Sequence, residues 1–291
     1  MIPVVPFKHY TKKDLLHDFE RLHDKLVAKE DFQTIHFDRP LTGYAASNAF
    51  FQKERLRVRS QGKISAIDYW KQNQDYIQAY KEKTGKTNDF SILTFLSFTP
   101  SQFSPYVAGR VYQHFDATHV FDPYAGWGDR CVAAMALGID YTGCDTNKRL
   151  LPCYDKMITF YRDHSDSRLV IHFQPSESVK IPKRTDLIFS SPPFYGTTSK
   201  LVEEYPGTEN SYETFMMTSL VPVVRKGLAM GIWVCLYIPE NMYKDLRKHV
   251  GKARVKLTFD VKKNNLNAME AQSNVIYCFR GETAPTAQQA E

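Results

Sequence analysis

Val120-Phe121-Asp122-Pro123-Tyr124-Ala125-Gly126-Trp127-Gly128-Asp129-Arg130 is the stretch that decides the fold. A short apolar run ends on an acid, a turn holding two glycines follows, and Cys131–Leu137 beyond it reads as a helix. Gly126 and Gly128 permit positive φ and close backbone approach. The helix N-terminus behind them presents free N–H groups, which suit a carboxylate. The pattern then repeats. Tyr141–Cys144 is a second strand ending at Asp145, with a helix running on to about Tyr161. Val170–Phe173 is a third strand, and Leu187-Ile188-Phe189 is a fourth that ends at Ser190-Ser191-Pro192-Pro193-Phe194. Tyr212–Lys226 is helical, Ile232–Ile238 is a fifth and almost wholly apolar strand, and Lys256–Val261 with Asn274–Phe279 would close the sheet as a hairpin. Strands alternating with helices predict an α/β fold, a parallel sheet covered on both faces. Ligands of such sheets bind beyond the carboxyl ends of the strands. The glycine turn, Asp145 and the Pro-Pro turn all fall at that edge.

Upstream, Leu15, Leu16, Phe19, Leu22 and Leu26 stand at helical spacing behind Thr11, a candidate N-cap, so residues 11–28 read as a helix. Residues 66–83, with Tyr69, Trp70, Ile77 and Tyr80, read as a second amphipathic helix. Between the two, Lys53-Glu54-Arg55-Leu56-Arg57-Val58-Arg59 alternates with period two. As an extended strand it puts Arg55, Arg57 and Arg59 on one face and Leu56 and Val58 on the other. The chain divides accordingly into a mainly helical, basic extension over 1–90, an α/β domain over 91–280 and a disordered tail over 281–291.

The composition is that of an ordinary globular protein, with 291 residues, 43% hydrophobic and 24% charged. No apolar run reaches the roughly 18 to 20 residues that span a bilayer. Met-Ile-Pro-Val-Val-Pro at the start lacks the basic and long apolar regions of a secretory signal. The expectation is a soluble, intracellular protein of the cytoplasm or of the nucleoid or nucleus of a host, with no membrane partner. Cys131, Cys144, Cys153, Cys235 and Cys278 are odd in number and form no CxxC pair. That argues against a disulfide framework and a structural zinc site, so no metal is expected. The net charge of +6 is unevenly spread. Residues 1–90 carry 16 Lys/Arg against 12 Asp/Glu, residues 91–243 carry 13 against 15, and residues 244–263 carry 8 against 2. A polyanion crossing a neutral reaction centre and gripped from both sides would suit this layout, as would a merely solvated surface.

A nicotinamide-binding fold shares the strand, glycine turn and acid. Here, however, Cys131 occupies the place of the third glycine of GxGxxG, and the Asp-Pro before the turn does not suit a dinucleotide fingerprint. Asp122-Pro123-Tyr124-Ala125-Gly126-Trp127-Gly128 instead resembles motif I of amino-methyltransferases, usually written D-P-F-x-G-x-G. Phe98-Thr99-Pro100-Ser101-Gln102-Phe103-Ser104-Pro105 is similar to their motif X, which packs on the methionine end of the cofactor. Asp145 matches the motif II acid that holds the ribose, and Glu177 sits where motif III contacts the adenine edge. Two positions depart from the pattern: motif III usually carries Asp, and Trp127 replaces a small residue. The Gly-Trp-Gly-Asp-Arg form resembles methyltransferases of bacteriophages and large DNA viruses. The resemblance covers roughly residues 91–280. It implies a seven-stranded, Rossmann-like class I methyltransferase sheet with helices on both faces and S-adenosyl-L-methionine as cofactor. Phe103, Ser104, Asp122, Pro123, Ala125, Gly126, Gly128, Asp145, Glu177 and Ser190 would hold that cofactor.

An exocyclic amine on cytosine or adenine is a poor nucleophile, because its lone pair is delocalised into the ring. Activating it takes acceptors for the amino hydrogens rather than a strong base. Ser191-Pro192-Pro193-Phe194 meets this need. The prolines fix φ and remove competing N–H donors. The Ser191 and Pro192 carbonyls and the Ser191 hydroxyl can therefore be aimed at one point, while Phe194 offers a stacking face. The turn resembles motif IV, (D/N/S)-P-P-(Y/F/W), which makes Ser191, Pro192, Pro193 and Phe194 the catalytic set. Ser in first place accompanies N4-cytosine enzymes more often than N6-adenine enzymes, so DNA cytosine stands slightly ahead of DNA adenine. Some RNA amino-methyltransferases carry a similar turn. RNA methylation therefore stays open, as does a catalytically silent nucleic-acid-binding module with the same fold.

The Tyr195–Tyr212 loop could close over the base, with Tyr195 or Tyr205 adding a stacking surface. No large recognition domain is expected after the closing hairpin. Arg55, Arg57, Arg59 and Lys63 on one flank, with Lys252, Arg254 and Lys256 on the other, are therefore the expected phosphate contacts. Extracting a base from a duplex costs a few kcal/mol, which makes single-stranded or locally melted DNA a suitable partner.

Overall fold

The computed structural model of the chain describes residues 3–28, 31, 33–59, 62–195, 211–260 and 274–281. Residues 196–210 of the loop, with Tyr205, and the tail beyond 281 lie outside the described residues. In chain order the elements are α1 (Lys12–Val27), β1 (His36–Phe37), α2 (Tyr44–Arg55), α3 (Ala66–Gln72), α4 (Gln74–Thr84), α5 (Asp89–Leu96), α6 (Pro105–His114), β2 (His119–Asp122), α7 (Asp129–Leu137) and β3 (Asp140–Cys144). They continue with α8 (Leu151–Tyr161), β4 (Leu169–His172), β5 (Leu187–Ser190), α9 (Tyr212–Phe215), α10 (Val221–Ala229), β6 (Trp233–Tyr237), α11 (Glu240–Val250), β7 (Val255–Phe259) and β8 (Val275–Arg280).

The strands form one sheet in the order β1-β7-β8-β6-β5-β2-β3-β4. Every described pairing is parallel except those of β8, which runs antiparallel between β6 and β7. The mostly parallel, helix-flanked sheet is Rossmann-like, with one strand more than the seven expected. The extra strand, β1, comes from the N-terminal stretch and pairs with β7 through His36↔Thr258 and Phe37↔Phe259.

Strand side chains alternate between two cores, as the period of two requires. Val120, Phe189, Cys235, Ile276 and Cys278 join the core shared with α1, α2, α6, α7 and α8. Phe121, Ile188, Val234, Leu236, Tyr277 and Phe279 join the core under α10 and α11. α1 forms as the spacing predicts, with Thr11 and Asp14 closing a capping box, and buries Leu15, Phe19, Leu22 and Leu26. The next helix, α2, starts at Gly43, which has no side chain to cap it. Asp18 of α1 does so instead, accepting from the N–H groups of Gly43, Ala45 and Ala46 at 3.0, 2.8 and 3.3 Å. α3, α4 and α5 enclose a smaller cluster of Leu56, Ala66, Trp70, Ile77, Ile92 and Leu93. Among the described residues no helix is long and apolar enough to cross a membrane.

Three local expectations are corrected. The 53–59 stretch is not extended, because α2 runs on to Arg55 and Leu56 closes it through its N–H to the Gln52 carbonyl. The 66–83 helix breaks at Asn73, whose Nδ2 donates to the Tyr69 carbonyl at 2.9 Å. The 212–226 helix holds a π-helical turn at Met216–Leu220, a feature that re-aims side chains and recurs at functional sites.

Candidate active site at the carboxyl edge of the sheet

β2, β3, β5, β6 and β7 all deliver their carboxyl ends to one cavity of about 1030 Å³. Phe103, Pro123, Gly126, Asp145, Glu177, Ser191, Pro192, Pro193, Phe194 and Tyr195 line it together. Gly126 and Ser191–Phe194 thus face the same space, though the segments lie about 65 residues apart in sequence.

The floor is held from beneath. Asp122 has no solvent exposure. Its Oδ2 accepts from Arg130 Nε at 2.7 Å and from the Tyr141 hydroxyl at 2.6 Å, and its Oδ1 accepts from Ser190 Oγ at 2.5 Å. Ser190 Oγ in turn accepts from the Tyr124 N–H at 3.1 Å. One buried carboxylate therefore ties the glycine loop after β2 to the last residue of β5, which immediately precedes the Pro-Pro turn. Asp122, Ala125, Gly128, Ser104 and Ser190 do not line the cavity. Ser104 N-caps α6, its hydroxyl accepting from the Val107 N–H at 3.3 Å. Gly128 has φ +75, and a Cβ there would stand 2.7 Å from the Phe51 ring. These residues stand behind the lining and shape it.

Asp145 Oδ2 accepts from the Gly126 N–H at 2.9 Å and Oδ1 from the Asn147 N–H at 2.8 Å. The Tyr154 hydroxyl donates to the Gly126 carbonyl at 3.1 Å and fixes the same loop. Burial pushes the Asp145 carboxyl up to about 6, against the two backbone N–H groups that stabilise its charged form. Each of its oxygens keeps a second lone pair for a ligand hydroxyl. Asp129, at the start of α7, is likewise pushed up to about 6 by burial, while Ser47 Oγ and Gln102 Nε2 donate to it. Glu177 stands at the rim, its Oε2 accepting from Ser219 Oγ at 3.0 Å. Ser219, on the π-helical turn, also meets the Tyr124 hydroxyl at 2.9 Å.

The Pro-Pro turn is pinned where it ends, because Asn241 Nδ2 donates to the Tyr195 carbonyl at 3.1 Å. Phe194 is half-buried, its ring 5.4 Å from that of Tyr237 and nearly perpendicular to it. Tyr237 continues to Phe103 and Phe259 at 5.4 and 5.3 Å, so the turn is backed by an aromatic wall. Tyr195 is 2% exposed and stacks on Phe215 at 5.4 Å. It packs between Phe215 and Tyr212 and presents no open stacking face.

Of the expected phosphate contacts, Arg55 lines the cavity and the others do not. Arg55 is 8% exposed and donates inward, to the Pro100 carbonyl at 2.7 Å and to Asn48 Oδ1 at 2.8 Å. Arg57 pairs with Glu54 at 2.6 Å and Arg59 with Asp68 at 3.9 Å. Lys63 is exposed outside the cavity lining. Lys252 and Arg254 precede Val255, the first residue of β7. A parallel strand that ends at the cavity begins at the opposite edge, on the order of 15 Å away at about 3.3 Å per residue. The basic 244–263 flank therefore does not face the reaction centre through these residues.

Arg39, Tyr44, Tyr124, Asp129, Arg130, Ser219, Tyr237 and Phe259 line the cavity and were not singled out from sequence. For Asp129 and Arg130 a signal existed, since they directly follow the second glycine. Ser219 and Phe259 carry none, because their placement depends on a π-turn and on the register of β7. Among the described residues no group of three His, Cys, Asp or Glu side chains could hold a metal ion.

No family model and no curated protein matches the chain. Solved structures similar to it include an S-adenosylmethionine-dependent O-methyltransferase from Thermotoga maritima, at 11% identity over 72% of each chain with a TM-score of 0.44. A Listeria monocytogenes protein assigned to the class I S-adenosylmethionine-dependent methyltransferases is similar at 13% identity over 94% of this chain and 89% of that one, TM-score 0.45. A methyltransferase from Pyrococcus furiosus is similar at 17% identity over 72% and 98%, TM-score 0.40.

Proposed function

We propose that the chain is an S-adenosylmethionine-dependent methyltransferase acting on the exocyclic amino group of a DNA base, cytosine N4 ahead of adenine N6. The observation that supports this reading above the others is that Gly126 and Asp145 share a cavity with Ser191, Pro192, Pro193 and Phe194. Asp145 would accept from the ribose hydroxyls, the Gly126 turn would admit the backbone approach, and Phe103 would pack on the methionine end. The chemistry the cofactor supplies is an electrophilic sulfonium methyl.

The chain's own task is then to prepare the amine. The Ser191 and Pro192 carbonyls and the Ser191 hydroxyl would accept the amino hydrogens, so that nitrogen can become tetrahedral as its lone pair is freed. Phe194 would hold the base by stacking, worth roughly 1–3 kcal/mol. Its contact with Tyr237 keeps the ring from turning away. Held acceptors of this kind act through electrostatics and proximity rather than through a strong base.

The test is incubation with tritiated cofactor and with single-stranded DNA, duplex DNA and RNA, followed by digestion and mass spectrometry of the labelled nucleoside. Labelled N4-methylcytosine or N6-methyladenine from DNA upholds the reading. Label in RNA alone moves the substrate to RNA, and binding without transfer to any of the three overturns the enzyme. Ser191→Ala combined with Phe194→Ala should abolish transfer and leave S-adenosylhomocysteine affinity within about twofold. Equal loss of both would make the turn structural.

A further inference from the structure

The eighth strand does more than extend the sheet. β1 is only two residues long, yet it runs parallel to β7 and so exits at the carboxyl edge. Phe37 anchors it, at 2% exposure, and His36 Nδ1 meets Thr258 Oγ1 at 2.8 Å. Two residues past the anchor, Arg39 enters the cavity wall. Its Nε donates to the Tyr44 hydroxyl at 3.1 Å, and its guanidinium lies 5.5 Å from the centre of the Phe259 ring. Phe259 meets Tyr237, and Tyr237 meets Phe194. The guanidinium is thus joined to the Pro-Pro turn by two aromatic rings. Burial raises the Tyr237 hydroxyl pKa, and the nearby positive charge of Arg39 works against that rise.

Among the described residues no carboxylate forms an ion pair with Arg39. A half-buried guanidinium held by one N–H and one ring keeps its two terminal nitrogens for a planar, two-pronged anion. His17 and Arg21, one helical turn apart on α1, line the same cavity as Arg39. The acids of α1 that line the cavity are committed elsewhere: Asp18 caps α2, and Asp14 accepts from the Thr11 N–H and hydroxyl at 2.8 Å each.

We infer that the cavity wall at Arg39 receives the phosphate next to the reacting base, with Arg39 as its principal contact, so that the polymer enters along the N-terminal segment. The inference rests on the nucleic-acid reading of the cavity and assigns to Arg39 the role expected of Arg55, Arg57, Arg59, Lys252 and Arg254. The probe is a fluorescent single-stranded oligodeoxynucleotide, titrated at several salt concentrations, with 5′-CMP and cytidine as competitors. The unaltered protein should prefer the nucleotide to the nucleoside by about tenfold. Arg39→Ala should weaken oligonucleotide binding about tenfold, remove the nucleotide preference, and reduce the slope of log affinity against log salt by about 0.7, one single-strand contact.

Unchanged affinity and slope in Arg39→Ala, with an unchanged melting temperature, overturn the inference. If Arg39→Ala melts early, Arg39→Gln decides by the same two readings, since it keeps the polar stem and loses the charge. Failure of the methyltransferase reading would look different: Arg39-dependent binding with no labelled base. Failure of this inference alone would leave labelled base and an indifferent Arg39.

Discussion

The two edges of the sheet carry the same residue types and use them differently. At the amino edge Asp186 accepts from the Thr118 N–H at 2.8 Å, from the Thr118 hydroxyl at 2.5 Å and from the His119 N–H at 3.2 Å. Asp140 accepts from the Arg168 N–H at 2.8 Å and pairs with Arg184 at 3.0 Å. These acids tie strand starts together in contact with solvent. At the carboxyl edge Asp122 is sealed in, Asp145 and Asp129 are pushed up to about 6, and Arg39 has no carboxylate partner among the described residues. Charge with incomplete partners in a low-dielectric cleft marks a place where a ligand finishes the structure. The contrast teaches that location at a strand end, more than residue type, separates a working acid from a structural one.

The most damaging way to break the contrast is Asp122→Ala. It leaves Arg130 as an uncompensated charge, 5% exposed by its side chain, and releases Tyr141 and Ser190 at once. A loss of about 3–5 kcal/mol in unfolding free energy is expected for a broken buried pair, read by urea denaturation. A loss under about 1 kcal/mol would mean that Asp122 does not hold the cavity floor. Next in size is a pair of glycine substitutions at the two ends of α7. Gly128 and Gly138 both have positive φ, but a Cβ at Gly128 collides with Phe51 and one at Gly138 meets nothing within 4 Å. Gly128→Ala should cost about 2–3 kcal/mol, strain and overpacking together. Gly138→Ala should cost only about 1 kcal/mol, the left-handed backbone alone. Equal costs would show that the site loop is no more tightly packed than the far turn.

Why some of this was legible in sequence and some was not follows from contact distance along the chain. Strand, acid, glycine turn and Pro-Pro turn are local signals, and they placed Asp145 and Ser191–Phe194 at the correct edge. The role of Asp122 was hidden because its partners Arg130, Tyr141 and Ser190 lie 8, 19 and 68 residues away. A two-residue strand such as β1 has no periodicity to detect, and its place is set by Thr258 and Asp260, more than 220 residues distant. Arg55 fits period two with Arg57 and Arg59 while also closing the last turn of a helix that buries Phe51 and Arg55. The edge assignment of Lys252 and Arg254 was recoverable, since cations that precede a parallel strand belong to its amino end. Only the direction of β7 was missing, and pairing sets that.

A smaller effect sharpens the contrast through pH. Asp129 has a folded-state pKa of about 6 against an ordinary value of 3.8. Between those values the folded protein holds a proton that the unfolded chain has released, so unfolding free energy falls as pH rises from about 4 to about 6 and then levels. Asp129→Asn keeps an acceptor for Ser47 and Gln102 and carries no charge. Its stability curve should be flatter over that window, with a relative gain on the order of 1 kcal/mol at pH 7, read by denaturation at pH 4.5 and pH 7. A variant as steep as the parent would place the proton elsewhere, Asp145 being the other acid raised to the same value. Asp145 bears on binding as well: once protonated it accepts less well from hydroxyls, so S-adenosylhomocysteine affinity should decline below about pH 6.

The smallest expected effect is the most discriminating. Lys252→Ala with Arg254→Ala removes two exposed cations from the most basic stretch of the chain, residues 244–263. If net charge alone drew the polymer in, two lost contacts would flatten the salt slope by roughly 1.4 to 1.8, from about 0.7 per single-strand and 0.9 per duplex contact. The strand direction says otherwise. Both residues precede β7 at the amino edge, the length of that strand away from Phe259 and the cavity, whose lining holds Arg39 and residues of α1. Oligonucleotide affinity should therefore change less than about twofold and the slope by less than about 0.3, while Arg39→Ala shifts both. A full two-contact loss in the double variant would put the polymer on the far edge, and the division between a working and a structural edge would have to be abandoned.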